Sequence, residues 1–204
     1  MGVSDDLPFG ATPLDPDELD GLIPPLLHRG ELNEFESANI IQGMLWASKS
    51  RLIKSNFLSE KAMRELHRQM FGETWQWAGK FRLTQKNIGC EAWRIGIALR
   101  ALLEDVEIWI STRSFPEEEI TARFHHRLVW IHPFANGNGR FARLATDLLC
   151  TREGWPLSSW GAGNLDEAGE LRRRYIRALQ DADQHDFGPL IDFMYNNKGR
   201  HEES

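Results

Sequence analysis

One base, a turn rich in glycine and asparagine, and two cations fall within twelve residues: His132, Asn136-Gly137-Asn138-Gly139, Arg140 and Arg143. Leu128-Val129-Trp130-Ile131 is apolar, and Pro133 can neither donate a backbone hydrogen bond nor continue a helix, so a helix ends at His132 and presents it there. Glycine takes φ > 0 without strain and asparagine tolerates it, so this turn can aim several N–H groups at one point. Phe141, Leu144 and Leu148 recur at helical spacing, which starts a helix near Gly139. Loop N–H groups at a helix N-terminus form an anion site. Arg140 and Arg143, three apart, share a face, and a permanently charged planar guanidinium suits phosphate. The set predicts phosphoryl or nucleotidyl transfer with His132 as general base. Each feature alone has a plainer explanation: a tight turn, a capping or core histidine, a solvated arginine face.

Helices must position these groups. From Glu31 the pattern turns helical, and Phe35, Ile40, Ile41, Met44, Leu45 and Leu52 fit an amphipathic helix over 32–53, with Glu31, Glu34 and Glu36 suited to the dipole at its start. Ser59 reads as the N-cap of a second helix, with Ala62, Met63, Leu66, Met70 and Phe71 inward and Gly72 as its stop. Trp75 and Trp77 alternate, Phe81, Leu83 and Thr84 favour strand, and Asn87-Ile88-Gly89 supplies a turn, so 80–93 is expected to be a hairpin or extended flap. A third helix spans 96–112. Ser114-Phe115-Pro116-Glu117 has the spacing of a capping box opening the helix that ends at His132. His125 and His126 lie within that helix and receive no chemical role. The next helix runs to Thr151 and is stopped by Gly154-Trp155-Pro156; others follow over 165–182 and after Gly188-Pro189. The first thirty residues, rich in Pro, Asp and Gly, allow a short helix and an extended arm through Leu19, Leu22, Ile23, Leu26 and Leu27. The tail from Asn196 is polar and expected to fray.

The expected fold is an all-α helical bundle with one small β-hairpin flap. An N-terminal arm and first helix (1–58) pack on the main domain (59–195), and 196–204 form a flexible tail.

Composition narrows the function classes. The 204 residues are 41% hydrophobic, enough for a core, and carry a net charge of −6, which disfavours a general nucleic-acid binder. Cys90 and Cys150 lack metal spacing and are expected to be free buried thiols. No basic segment with a following apolar run marks a signal peptide, and no apolar run reaches membrane-spanning length, so a cytoplasmic location is expected.

The run His132-Pro133-Phe134-x-x-Gly137-Asn138-Gly139-Arg140-x-x-Arg143 resembles the signature of the Fic/DOC family, with eight matching positions in twelve. The chain as a whole resembles its mobile mystery protein B subgroup, a bacterial, mobile-element and toxin-antitoxin-like setting. The resemblance implies a protein adenylyltransferase that moves AMP from ATP to a Ser, Thr or Tyr hydroxyl of a target protein, with Mg²⁺ or Mn²⁺. It makes His132 the base and Phe134 a core plug. Gly137, Asn138 and Gly139 cradle phosphates, Arg140 and Arg143 pair with them, and Asn138 and Arg140 assist catalysis. Arg82, Leu83, Thr84, Lys86, Asn87, Ile88 and Gly89 become a flap that holds the target through main-chain pairing.

The family usually has Asp or Glu where this chain has Asn136, so the metal ligand is a weaker, neutral oxygen. Transfer of another nucleotide or phosphate group, removal of AMP, or an idle binding module are the alternatives. The family's inhibitory Ser/Thr-x-x-x-Glu-Gly/Asn motif has no counterpart: Leu149 stands four before Glu153-Gly154. Glu34 and Glu36 could serve in a looser form, although a solvated acidic face is the simpler expectation. A helix-turn-helix or antitoxin-like companion is a candidate partner, as is a second copy of the chain. Tyr175 fits either a base-stacking residue or a core tyrosine.

Overall fold

The computed structural model describes residues 16–25, 29–165 and 169–195. The expected frayed tail and parts of the N-terminal arm, including Leu26 and Leu27, lie outside them. Among the described residues the architecture is helical: α1 (Pro16–Leu19), α2 (Arg29–Lys49), α3 (Arg51–Asn56), α4 (Glu60–Phe71), α5 (Ile95–Thr112), α6 (Glu117–Ile131), α7 (Asn138–Glu153), α8 (Glu170–Asp183) and α9 (Gly188–Tyr195).

Capping explains most boundaries. Ser59 has extended backbone and its hydroxyl accepts the Ala62 N–H, so α4 begins as the sequence predicts, and Gly72 caps its end. The expected helix over 32–53 is instead two helices. Ser50 turns extended, and its hydroxyl accepts the Ile53 N–H to start α3 afresh. The capping box at Ser114 does not form. Pro116 is the N-cap of α6 without a side-chain bond, and the Ser114 hydroxyl meets Thr112 instead. The eighth helix begins at Glu170, later than expected.

The expected β-hairpin is also absent. Among the described residues there is no strand, and 81–91 are irregular. The one β-type pairing is an isolated antiparallel bridge between Leu22 and Trp75, where the N-terminal arm lies on the loop after α4. The arm's backbone is bonded there: Gln76 N–H donates to Gly21 C=O at 2.8 Å and Ile23 N–H to Thr74 C=O at 2.9 Å.

The main core gathers Phe57, Met63, Leu66, Met70 and Phe71 with Leu99, Leu102, Phe124, Leu128, Phe134 and Phe141, so α4 to α7 share one interior. α2 lies close along α4 because Gly43 has no side chain: a Cβ there would sit 2.9 Å from Met70 Cα. That approach brings α2 over the signature loop. A second cluster, with Tyr175, Ala178, Leu190, Phe193 and Met194, joins α8 and α9 to α6.

Candidate active site

His132 caps α6 in left-handed backbone (φ 51, ψ 60), its N–H donating to Leu128 C=O, so the helix ends where Pro133 requires. The residue is 5% exposed. Burial first, then the Arg82 and Lys86 cations, push its pKa down to about 4, which leaves the imidazole neutral and able to accept a proton at physiological pH. Gly89 closes over it: a Cβ at that position would lie 2.6 Å from His132 Cβ, and the backbone there has φ +104.

Arg82 is the clamp beneath this arrangement. Its Nε donates to His132 C=O at 2.7 Å, its Nη1 to Thr84 C=O at 2.8 Å and its Nη2 to Cys90 C=O, while its own N–H donates to Pro133 C=O at 2.9 Å. Four bonds tie both ends of the 82–90 segment to the backbone at His132. Two residues of the expected flap turn their side chains inward, whereas the pairing expected of the flap is a main-chain one. Arg82 is 3% exposed and Lys86 9%, the latter ion-paired with Glu18 of the arm, so neither side chain faces a target. Leu83, Thr84, Asn87 and Ile88 are exposed, and Gly89 is partly covered against His132.

The turn after His132 is built as a nest. Phe134 is fully buried, and Asn138 grips it: Asn138 Oδ1 accepts the Phe134 N–H at 2.9 Å and Nδ2 donates to Phe134 C=O at 2.8 Å. The Asn138 side chain is therefore committed to holding the loop, which leaves its backbone N–H, rather than its amide group, for the expected phosphate cradle. Gly137 takes φ +75 at the N-cap of α7 above the Phe71 ring, which lies 2.6 Å from where a Cβ would stand. Asn136 Oδ1 accepts the Gly137 N–H at 2.5 Å. Gly139 is open, with only the Arg143 guanidinium within 4 Å of a built Cβ, at 3.8 Å.

As a metal ligand set the site is poor. Asn136 offers one neutral oxygen already turned to a backbone N–H, and among the described residues no group of three or more His, Cys, Asp or Glu side chains could hold an ion. The residues present do not fit a cation held by protein alone.

The two arginines differ. Arg140 lies over the Phe71 ring at 5.0 Å, and its Nη1 donates to Glu36 Oε2 at 2.9 Å. Glu36 is 6% exposed and its Oε1 also accepts the Trp75 indole N–H at 2.7 Å, so it is no solvated face; Glu34, two residues away, is exposed. Arg143 is half-buried, and its charge is felt by His125 and Asp147 behind it. Burial raises the Asp147 pKa to about 6, against the Trp160 indole N–H that donates to both carboxylate oxygens. His125 and His126 serve packing: their Nε2 atoms meet the Tyr175 hydroxyl and Asp183 Oδ1, each at 2.8 Å. Tyr175, 6% exposed, is a core tyrosine.

Sequence reasoning missed His67, the Arg82 clamp and the Glu36–Arg140 pair. A signal existed for His67: it falls on the apolar face of α4 between Met63 and Phe71, at i+4 from one and i−4 from the other.

A model of the Fic/DOC family matches residues 57–150. Curated relatives include "Protein adenylyltransferase Fic" of Aedes aegypti, 28% identical over 155 residues, and that of Culex quinquefasciatus, 30% identical over 155; each alignment covers 74% of this chain and 30% of the relative. The chain therefore spans under a third of the length of these relatives. Among solved structures, Fic-1 (aa134–508 E274G) of C. elegans aligns at TM-score 0.56 and 28% identity, covering 78% of this chain and 48% of that one. The N-terminal Fic domain of a Bartonella quintana putative cell filamentation protein, with bound ADP, aligns at TM-score 0.67 over 95% of this chain and 94% of that one, at 16% identity, a likeness of fold. The left-handed histidine at a helix end, the glycine nest opening the next helix and the family match converge on one segment, and residues 57–150 of the chain are a Fic/DOC family match.

Proposed function

We propose that this chain is a protein adenylyltransferase, transferring AMP from ATP to a Ser, Thr or Tyr hydroxyl of a target protein. The observation that carries the reading is a buried, neutral His132 held at the mouth of a glycine nest that opens α7 beside Arg140. The relatives named above carry the adenylyltransferase name.

The target hydroxyl oxygen attacks the α-phosphorus while a ring nitrogen of His132 takes its proton. The bond from the α-phosphorus to the bridging oxygen breaks, and pyrophosphate leaves with the electron pair. The N–H groups of Gly137, Asn138 and Gly139 bind the phosphates at the start of α7. Arg140 and Arg143 take up their charge, and each such preorganised donor contributes ~10²–10³ in rate. The incoming phosphates bring negative charge beside His132, which opposes the cations that depress its basicity.

The exposed Leu83, Thr84, Asn87 and Ile88 present backbone to an extended target segment. A Mg²⁺ or Mn²⁺ ion would draw its ligands chiefly from the phosphates and would offset their charge, with Asn136 as at most a weak protein oxygen. Glu36 restrains the site, because a nucleotide must take Arg140 from it. A target protein is the partner required. A helix-turn-helix or antitoxin-like companion, a homodimer, a mobile-element setting and a cytoplasmic site of action rest on the subgroup resemblance.

His132→Ala tests the assignment. The variant is expected to bind ATP as the wild type does and to transfer no AMP; a variant that still labels protein at the wild-type rate overturns the role of His132.

A further inference from the structure

His67 sits beneath the signature loop, fully buried, and makes contacts on every side. Its ring stacks on Phe134 at 3.7 Å and lies 4.7 Å from Phe71 and 5.9 Å from Phe141. Nδ1 accepts the Gly79 N–H at 3.1 Å. An acceptor nitrogen carries the lone pair, so the single proton of the neutral ring is on Nε2, and Nε2 donates to Asn136 C=O at 3.1 Å. The Gly79 backbone N–H thus assigns the tautomer. Both polar atoms of the ring are thereby satisfied inside the core.

Those two bonds connect distinct parts of the site. Gly79 closes the loop that leads into the 82–90 segment, and its C=O accepts from Arg64 Nε at 3.0 Å. Asn136 C=O belongs to the peptide that carries the Gly137 N–H. That peptide is trans and planar, so its N–H points opposite to its carbonyl. Fixing the carbonyl toward α4 therefore aims the Gly137 N–H away from α4, toward the mouth, where it donates to Asn136 Oδ1, the acceptor a phosphate oxygen would replace. Phe71 leaves Gly137 no room for a side chain, so the direction of this amide is set from below by His67.

We propose that His67 is the positioning residue of the phosphate cradle: as an Nε2-protonated imidazole it links the Gly79 amide to the Asn136 carbonyl and so holds the Gly137 N–H in the direction a nucleotide phosphate requires. This deepens the adenylyl-transfer reading and rests on it for the identity of the ligand. Only histidine meets all three demands at this position. Phenylalanine would keep the stacking and leave a buried N–H and C=O unpaired. Glutamine can place a donor where Nε2 stands and loses most of the stacking.

The test uses the full chain as wild type, His67→Phe, His67→Gln and His67→Asn. The readouts are thermal unfolding, ATP affinity by calorimetry, the histidine tautomer by long-range ¹H–¹⁵N NMR, and kcat and KM for AMP transfer. The expected results are an Nε2–H tautomer in the wild type, ATP binding weaker by roughly 10-fold in His67→Phe, and substantial rescue of affinity in His67→Gln. Should His67→Phe fail to fold, His67→Gln against His67→Asn carries the comparison, since the shorter amide cannot reach Asn136 C=O from this position. An Nδ1–H tautomer, or a folded His67→Phe with wild-type affinity, kcat and KM, overturns the proposal; so does equal affinity of the Gln and Asn variants. A wild type that binds ATP and transfers no AMP overturns the adenylyl-transfer reading alone, because the tautomer and affinity measurements need no transfer.

Discussion

Replacing Glu36 by glutamine should tighten nucleotide binding while weakening the fold. Glu36 Oε2 accepts from Arg140 at 2.9 Å and Oε1 from the Trp75 indole at 2.7 Å, in a residue 6% exposed. A glutamine of the same shape has one acceptor oxygen and cannot serve both donors. A hydrogen bond to a charged group contributes about 1.5–3 kcal/mol, and a phosphate that engages Arg140 must break this one. The carboxylate also repels the phosphate. Removing both costs predicts ATP affinity higher by roughly 10- to 100-fold. The same change strips Arg140 of a buried partner, for a stability loss of about 1–3 kcal/mol, or roughly 2–4 °C in Tm per kcal/mol for a chain of this size.

Calorimetric titration with ATP, alongside thermal unfolding, separates the two effects. Glu34→Gln is the control, because Glu34 is exposed and should move neither readout. If Glu36→Gln loses stability and binds ATP no more tightly than the wild type, then Arg140 is not the side chain that receives the phosphate, and the competition argument fails.

Three more outcomes follow from the same geometry. Acid should unfold the chain early. Burial holds His67 and His125 at about 3 and His132 at about 4, against an ordinary 6.5. The unfolded chain binds protons at these sites below 6.5 and the folded chain does not, so stability is complete above 6.5 and falls as pH drops, by roughly 4 kcal/mol per pH unit for three groups. Asp147, raised to about 6, acts in the opposite sense and returns about 1.4 kcal/mol per unit as pH falls below 6; urea midpoints at pH 7.5, 6 and 5 measure the net loss, and a constant midpoint contradicts it. Arg82→Lys should lower stability by about 3–5 kcal/mol by disrupting a buried three-carbonyl clamp, whereas Leu83→Ala, at a side chain 92% exposed, should change it by less than ~0.5 kcal/mol; equal melting temperatures for wild type and Arg82→Lys refute the clamp. Asn136→Asp should raise the transfer rate at limiting Mg²⁺ by restoring a charged oxygen, and a rate unchanged at every Mg²⁺ concentration sinks that view.

Local chemistry in the sequence was a good guide wherever structure is decided locally. Pro133 ends α6 at His132, Ser59 and Gly72 bound α4, and Gly137 opens α7, each through backbone rules that act over a few residues. The failures are long-range. Glu36 and Arg140 are 104 residues apart, and nothing in the spacing around either one announces the other. Arg82 and Lys86 look like exposed cations on a strand, and become buried because carbonyls and Glu18 from other segments surround them. The alternation around Trp75 and Trp77 mimics a strand, yet among the described residues its β-type pairing is one bridge to Leu22. The signature marks Asn138 for its backbone N–H, and gives no sign that its side chain closes the Phe134 turn four residues back.

The central claim is most directly tested by supplying ATP labelled at the α- or the γ-phosphate to the purified chain with Mg²⁺, Mn²⁺ and a bacterial lysate, beside His132→Ala. The account predicts a protein band labelled from the α-phosphate alone, absent with His132→Ala, with AMP on a Ser, Thr or Tyr hydroxyl by mass spectrometry. Label arriving from the γ-phosphate, or α-label that persists undiminished in His132→Ala, would contradict it.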